Sequence, residues 1–139
     1  MIEGTSLGRQ LDILHRSMDA SLLRQNVIAN NIANANTPNF KRSDLNFESR
    51  LAYALESSAR KPRFQERTTH DRHIPFHKPL DYRDVRPRRV LDFATTAKNN
   101  GNNVDIDVES MDLLNSQLAY QMMTRSVADS FARINLILR

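Results

Sequence analysis

The chain has 139 residues and a formal net charge of +4, with 40% hydrophobic, 26% charged and 6% aromatic residues. This length suits one small domain, and the composition excludes a simple disordered tail, while the few aromatic residues argue against a large compact core. Cysteine is absent, which excludes disulfides and thiolate metal sites, and three glycines are too few for a turn-rich all-β fold.

The first predicted element is a long amphipathic helix from about Ser6 to Ala35. Its apolar residues recur every three or four positions, as on one face of a helix. These residues are Leu7, Leu11, Leu14, Met18, Ile28 and Ile32. The helix must end before Pro38, because proline lacks a backbone donor and disfavours helical geometry at the preceding residue. Residues 1–36 are therefore interpreted as an N-terminal assembly helix.

Residues 37–103 form an irregular insert that carries the basic charge. Between Arg60 and Arg89 there are ten lysines and arginines against four acids. Apolar residues at every fourth position predict a short helix over 43–58, and a loose alternation predicts a short strand over 89–96. The asparagines and glycine of 99–103 predict a turn, since both residue types tolerate positive φ.

The last predicted element is a second long helix within residues 104–139. Asp105 or Asp107 is suited to cap its N-terminus. One apolar stripe comprises Met111, Leu114, Leu118 and Met122. An adjoining stripe comprises Tyr120, Met123, Val127, Phe131, Ile134 and Leu138.

Together these elements predict a mainly α fold in one structural unit. The terminal helices are expected to pair as an antiparallel, coiled-coil-like pair. When two helices pair, each helix buries one apolar stripe against the other, whereas the C-terminal helix has two adjacent stripes. The surplus apolar surface predicts an interface with other subunits, as in a ring or an open filament.

A distinctive stretch of sequence covers the end of the first predicted helix and the residues just after it. Its elements are Ala29-Asn30-Asn31, Ile32-Ala33-Asn34, Thr37-Pro38, Asn39 and Phe40. This stretch resembles the N-terminal signature of the flagellar axial proteins, the rod and hook family. Members usually have glycine where this chain has Asn39, so we expect a positive φ there, which asparagine tolerates.

The C-terminal part resembles the proximal rod proteins of that family. The residues concerned are 101–107 with Glu109, the stretch 117–121, and His73-Ile74-Pro75 in the insert. The resemblance implies a structural, torque-transmitting subunit of the periplasmic rod, exported without a cleaved signal. It also implies contacts with copies of itself, other rod proteins, and the export gate and membrane ring at the rod base. No cofactor, catalytic residue or membrane contact is implied.

Other functions have weaker support in the sequence. His70, His73 and His77 have the spacing of metal ligands, but Pro75 opposes a regular helix there. The basic insert has no nucleic-acid-binding motif, and no phosphate loop or nucleophile elbow indicates an enzyme. The alternatives that remain open are a coiled-coil adaptor with a basic linker and a sister protein of the proximal rod.

Overall fold

The computed structural model describes residues 5–59, 69–70, 72–73, 79–96 and 98–138. Three helices dominate them, in the order α1 (Ser6–Ala33), α2 (Glu48–Ala59) and α3 (Ile106–Ile137). Between the helices lie two four-residue strands, which form a two-stranded sheet, and one 3₁₀ turn at Tyr82–Asp84. The strands are β1 (Ser43–Asn46) and β2 (Arg88–Leu91). The predicted mainly α architecture with long terminal helices and short strands in the insert is confirmed, and α1 packs along α3.

The described residues divide into two compact units. The first comprises those of Met1–Leu45 and Arg89–Arg139, and it contains α1 and α3. The second comprises those of Asn46–Arg88, where Phe47, Leu51 and Ala54 are buried. In the second unit the Ser57 hydroxyl accepts a hydrogen bond from the Leu80 backbone N–H at 3.0 Å, which ties α2 to the residues before the 3₁₀ turn.

Helix α1 begins where the Thr5 hydroxyl accepts a hydrogen bond from the Gly8 N–H at 3.1 Å. It ends at Ala33, five residues before Pro38, in agreement with the predicted stop. Helix α3 begins after Asp105, whose carboxylate accepts a hydrogen bond from the Asp107 N–H at 3.0 Å. Asp105 is therefore the cap that the sequence offered as one of two candidates.

The prediction of a helix over 43–58 is wrong for its first residues. Residues 43–46 are strand β1, and the helix begins only at Glu48. The backbone of Ser43 exchanges two hydrogen bonds with the Asn31 side chain, and residues 43–46 pair with β2, so helical hydrogen bonding is not available to them. The predicted strand over 89–96 is present but short, because β2 ends at Leu91.

Candidate assembly interface

Five polar residues meet where the end of α1, the start of β1 and the start of α3 come together. We call Asn31, Arg42, Ser43, Asn103 and Glu109 the polar junction. The Asn31 side-chain amide donates to the Ser43 carbonyl at 2.8 Å and to Glu109 Oε2 at 3.0 Å, and its Oδ1 accepts from the Ser43 N–H at 3.1 Å. Arg42 Nε donates to Glu109 Oε1 at 2.9 Å, and the Arg42 backbone N–H donates to Asn103 Oδ1 at 2.6 Å. Hydrogen bonds thus fix the start of α3 to the end of α1.

The carbonyls at the end of α1 receive their partners from far along the chain. The side-chain amide of Asn102 donates to the carbonyls of Asn34, Ala35 and Thr37 at 2.9, 3.1 and 2.9 Å. Lys98 Nζ also donates to the Ala35 carbonyl, at 2.8 Å. These contacts supply hydrogen-bond donors to the carbonyls just past the end of α1, and they place a cation where the helix dipole favours one.

The charges in the polar junction are matched. Burial lowers the pKa of Arg42, but the hydrogen bond and charge of Glu109, together with the charges of Asp44 and Asp112, outweigh it, so the pKa is raised above its ordinary value. A cleft of about 210 Å³ opens beside these residues, lined in part by Arg42, Asp92 and Glu109. Both carboxylate oxygens of Glu109 already accept hydrogen bonds, so the geometry suits holding helices together rather than proton transfer.

The α1–α3 packing continues away from the junction through smaller contacts. On α1 the side chains of Ala20, Ser21, Val27 and Ile28 are buried. On α3, Ser116 is buried and its hydroxyl contacts the Ser21 carbonyl at 3.4 Å. The half-buried residues of the two helices include several of the predicted apolar residues. Among them are Leu7, Leu11, Leu14, Met18 and Ile32 on α1, and Tyr120, Met123, Val127 and Ile134 on α3.

The other predicted stripe of α3 is exposed. We call Met111, Leu114, Leu118 and Met122 the outward stripe, and these side chains are between 44% and 68% exposed. At 3.6 residues per turn they lie roughly opposite Glu109 and Ser116, the two buried residues of α3. Between residues 109 and 122, therefore, α3 presents contact residues to α1 on one side and apolar residues to solvent on the other.

The end of α3 is also apolar and exposed. Leu136, Ile137 and Leu138 are 79–81% exposed, and Phe131 is 52% exposed. Phe131 and Leu138 belong to the predicted stripe that adjoins the outward stripe, and neither is buried in one subunit. A single subunit leaves a run of large apolar side chains uncovered along this helix, which is unusual for a soluble monomer.

The motif stretch divides into buried and exposed positions. Asn31 is buried in the polar junction, and Ile32, Asn34 and Phe40 are half-buried. The exposed members are Ala29, Asn30, Ala33, Thr37, Pro38 and Asn39. Asn39 has φ 58°, which confirms the positive φ expected at this position. Of the three small alanines in this stretch, Ala29 and Ala33 are exposed in one subunit, whereas Ala35, just past the end of α1, is buried.

The main polar contacts could not be predicted from the sequence. Glu109 was assigned to the resembling C-terminal stretch and to no contact, although its side chain is 1% exposed and pairs with Asn31 and Arg42. Asn102 and Asn103 were interpreted as turn residues, yet their side chains hold α1 and β1. The pairs lie up to 78 residues apart in the chain, so no local spacing could have revealed them.

Among the described residues, the remaining candidate sites do not bring further functional groups together. The His70 and His73 rings lie 6.0 Å apart, while His77 falls outside the described residues. No group of three potential metal ligands occurs among the residues that the structure describes. No described helix combines the length and the apolar character needed to cross a bilayer.

Comparison with known proteins gives a consistent result over most of the chain. A sequence profile of the family described as "Flagella basal body rod protein" matches residues 11–41. The flagellar basal body rod protein FlgB of Borreliella burgdorferi is 45% identical over 94% of this chain and 96% of its own length. The FlgB proteins of Bacillus subtilis and Aquifex aeolicus are 32% and 27% identical over 90% and 96% of this chain, and over 89% and 95% of their own lengths.

Proposed function

Because this chain belongs to the FlgB family of flagellar basal body rod proteins, we propose that it joins the rod through the apolar faces of its terminal helices. The chain is a structural subunit of the flagellar basal body. The observation that carries the proposal is the outward stripe, since four large apolar side chains at helical spacing remain exposed in one subunit. The sister rod protein FlgC and a coiled-coil adaptor are not favoured, because the relatives described above are FlgB proteins.

The terminal helices form an antiparallel, coiled-coil-like pair in this proposal. Two contacts support that arrangement. Asn31 near the end of α1 contacts Glu109 near the start of α3, whereas Ser21, earlier in α1, contacts Ser116, later in α3. The order of the contacts is reversed between the helices. The less exposed residues of α3 also recur at the three- and four-residue spacing of a coiled-coil seam.

Copies of the chain and other rod proteins cover the outward stripe and the exposed end of α3. Such contacts join different surfaces of neighbouring subunits, and they generate a tube when the rotation between subunits does not close into a ring. The rod transmits torque through these buried apolar faces, and no residue performs chemistry. The family motif contributes through Asn31, which fixes α3 to α1, and through the exposed Ala29 and Ala33, which allow a neighbouring helix to approach closely.

The resemblance to proximal rod proteins supports a proposal for where the subunit lies. It lies in the periplasm at the base of the rod, beside the export gate and the membrane ring, and it is exported unfolded without a cleaved signal. Intact mass and N-terminal sequence of the chain taken from purified basal bodies test the last point. A chain shortened by removal of a leader would contradict it.

Substitution in the outward stripe tests the proposed function. Leu118→Asp places a charge on an exposed face, so we expect the helices of the subunit to form while incorporation into basal bodies and motility are lost. Gln117→Asp is the control, because Gln117 is an exposed polar neighbour on the same helix. Basal bodies purified from each strain are compared by immunoblot. Normal motility and normal incorporation of the Leu118→Asp chain would refute the role of the stripe.

A further inference from the structure

Strand β2 and Phe93 form an exposed surface that the helix contacts do not use, and the half-buried Asp92 between them is bonded to the Thr95 hydroxyl. We call Arg88, Arg89, Val90, Leu91 and Phe93 the basic strip. All four residues of β2 are exposed, and Phe93 is 73% exposed. In the described residues the sheet has two strands, so one edge of β2 has no described strand beside it. Exposed edges that carry apolar residues are ready templates for another chain.

A second surface has the opposite charge and a similar apolar content. We call Asp105, Ile106, Asp107 and Val108, at the start of α3, the acidic strip. All four residues are exposed, with Ile106 at 43% and Val108 at 51%. Among the described residues this is the stretch in which exposed acids alternate with large exposed apolar side chains. Met111 of the outward stripe follows one turn later, so the two surfaces are continuous along α3.

We propose that the acidic strip of one subunit docks on the basic strip of a second copy of this chain. Opposite charges favour this pairing over contact between like strips, and the apolar side chains of both strips become covered in the same contact. Among the described residues no ion pair joins the two strips within one subunit, and since Asp105 caps α3, Asp107 is the acid of the strip that faces a neighbour. This inference rests on the proposed function and extends it, because it gives the insert a role in joining subunits.

Cross-linking tests whether the strips meet. The chain contains no cysteine, so single cysteines introduced as Arg89→Cys and Asp107→Cys are the reactive thiols of their chains. Cells express both variants, one with a size tag, and purified basal bodies are treated with a short bis-maleimide. We expect a dimer that contains one chain of each kind. The matched control pairs Arg89→Cys with His15→Cys, whose side chain is 78% exposed on α1 and lies on neither strip.

Charge reversal tests whether the contact is electrostatic. Arg89→Glu is expected to lower incorporation into basal bodies about tenfold, because it brings like charges together. Adding Asp107→Lys to the same chain reverses the other strip and is expected to restore incorporation. Asp105 is left unchanged because it caps α3. Far-UV circular dichroism of each variant checks that the helices still form.

The outcomes separate this inference from the proposed function. Basal bodies that contain both cysteine variants but give no more mixed dimer than the control pair would overturn the docking of the two strips. So would failure of Asp107→Lys to restore the Arg89→Glu chain, the result expected if the arginines served an anionic membrane or a nucleic acid. Absence of the chain from basal bodies would instead overturn the proposed function itself.

Discussion

Asn31 shows how one buried side chain can position a long helix. Its amide satisfies both the N–H and the carbonyl of Ser43 and donates to Glu109 as well. Asn31→Ala leaves these three buried groups without that partner, and we expect it to lower the free energy of unfolding by about 2–4 kcal/mol.

The neighbouring residue provides the control for that substitution. Asn30 is exposed, so Asn30→Ala is expected to change the stability by only a few tenths of a kcal/mol, in the stabilising direction, because alanine is the better helix former. Urea unfolding of both variants at one protein concentration measures the difference. Equal losses at the two positions would contradict the role assigned to Asn31.

Asp92 makes the stability of the first unit depend on pH. The Thr95 hydroxyl donates to Asp92 Oδ2 at 2.8 Å, and the N–H groups of Ala94 and Thr95 donate to Oδ1. These bonds, with the Thr95 hydroxyl first, lower the pKa of Asp92 in the folded chain. A lowered folded pKa means that the stabilisation is present above the ordinary aspartate pKa of about 4 and is lost as the pH falls through the folded value.

We therefore expect Asp92→Asn to remove part of the acid sensitivity. Its free energy of unfolding should fall below that of the unsubstituted chain near neutral pH, and the two should converge as the pH drops below about 4. Urea unfolding at a series of pH values measures this convergence. Curves that stay parallel over the whole range would show that the Asp92 hydrogen bonds contribute no pH dependence.

At the scale of elements, the turn after α1 and the turn before α3 meet at two residues with positive φ, Asn39 and Gly101. Gly101 has φ 78°, and a Cβ added there would lie 2.6 Å from Asn39 Oδ1. Gly101→Ala is therefore expected to cost about 1–2 kcal/mol for the left-handed backbone alone, with a further cost for the contact. Asn39→Gly keeps φ accessible and removes the side chain in contact.

A double-mutant cycle separates the two effects. We expect Gly101→Ala to be less destabilising in the Asn39→Gly background than in the unsubstituted chain, because only the backbone cost remains. The midpoints of urea unfolding for the four proteins give the coupling. Strictly additive effects would exclude the contact between positions 39 and 101 as a source of strain.

The same elements show how far the sequence could predict this fold. The periodicity of apolar residues located α1 and α3 to within two residues at each end, and Asp105 and Asn39 have the local conformations that their residue types favour. Strand β1 and the polar junction were missed. Both depend on pairs such as Arg42 with Glu109, 67 residues apart, and a local pattern carries no information about such pairs.

At the scale of the whole molecule, helix formation and assembly use different faces of α3. The face toward α1 carries the buried Glu109 and Ser116, whereas the outward stripe and the helix end stay in solvent. A charge on the outward stripe should thus spare the helix pair, while a charge at half-buried Val127 should disturb it. The sequence predicted two apolar stripes but could not say which would face α1, because both have helical spacing.

These exposed faces also predict that the helical structure and the stability of the subunit depend on the protein concentration. Burial of apolar surface between subunits stabilises the folded state by mass action, and isolated amphipathic helices owe most of their stability to packing. Over about a hundredfold increase in protein concentration we expect the helical signal and the melting temperature measured by circular dichroism to rise. The Leu118→Asp chain, which loses an apolar contact of the outward stripe, should show a much smaller rise. A melting temperature that is independent of concentration in the unsubstituted chain would mean that one subunit completes its own fold and that the outward stripe adds nothing to its stability.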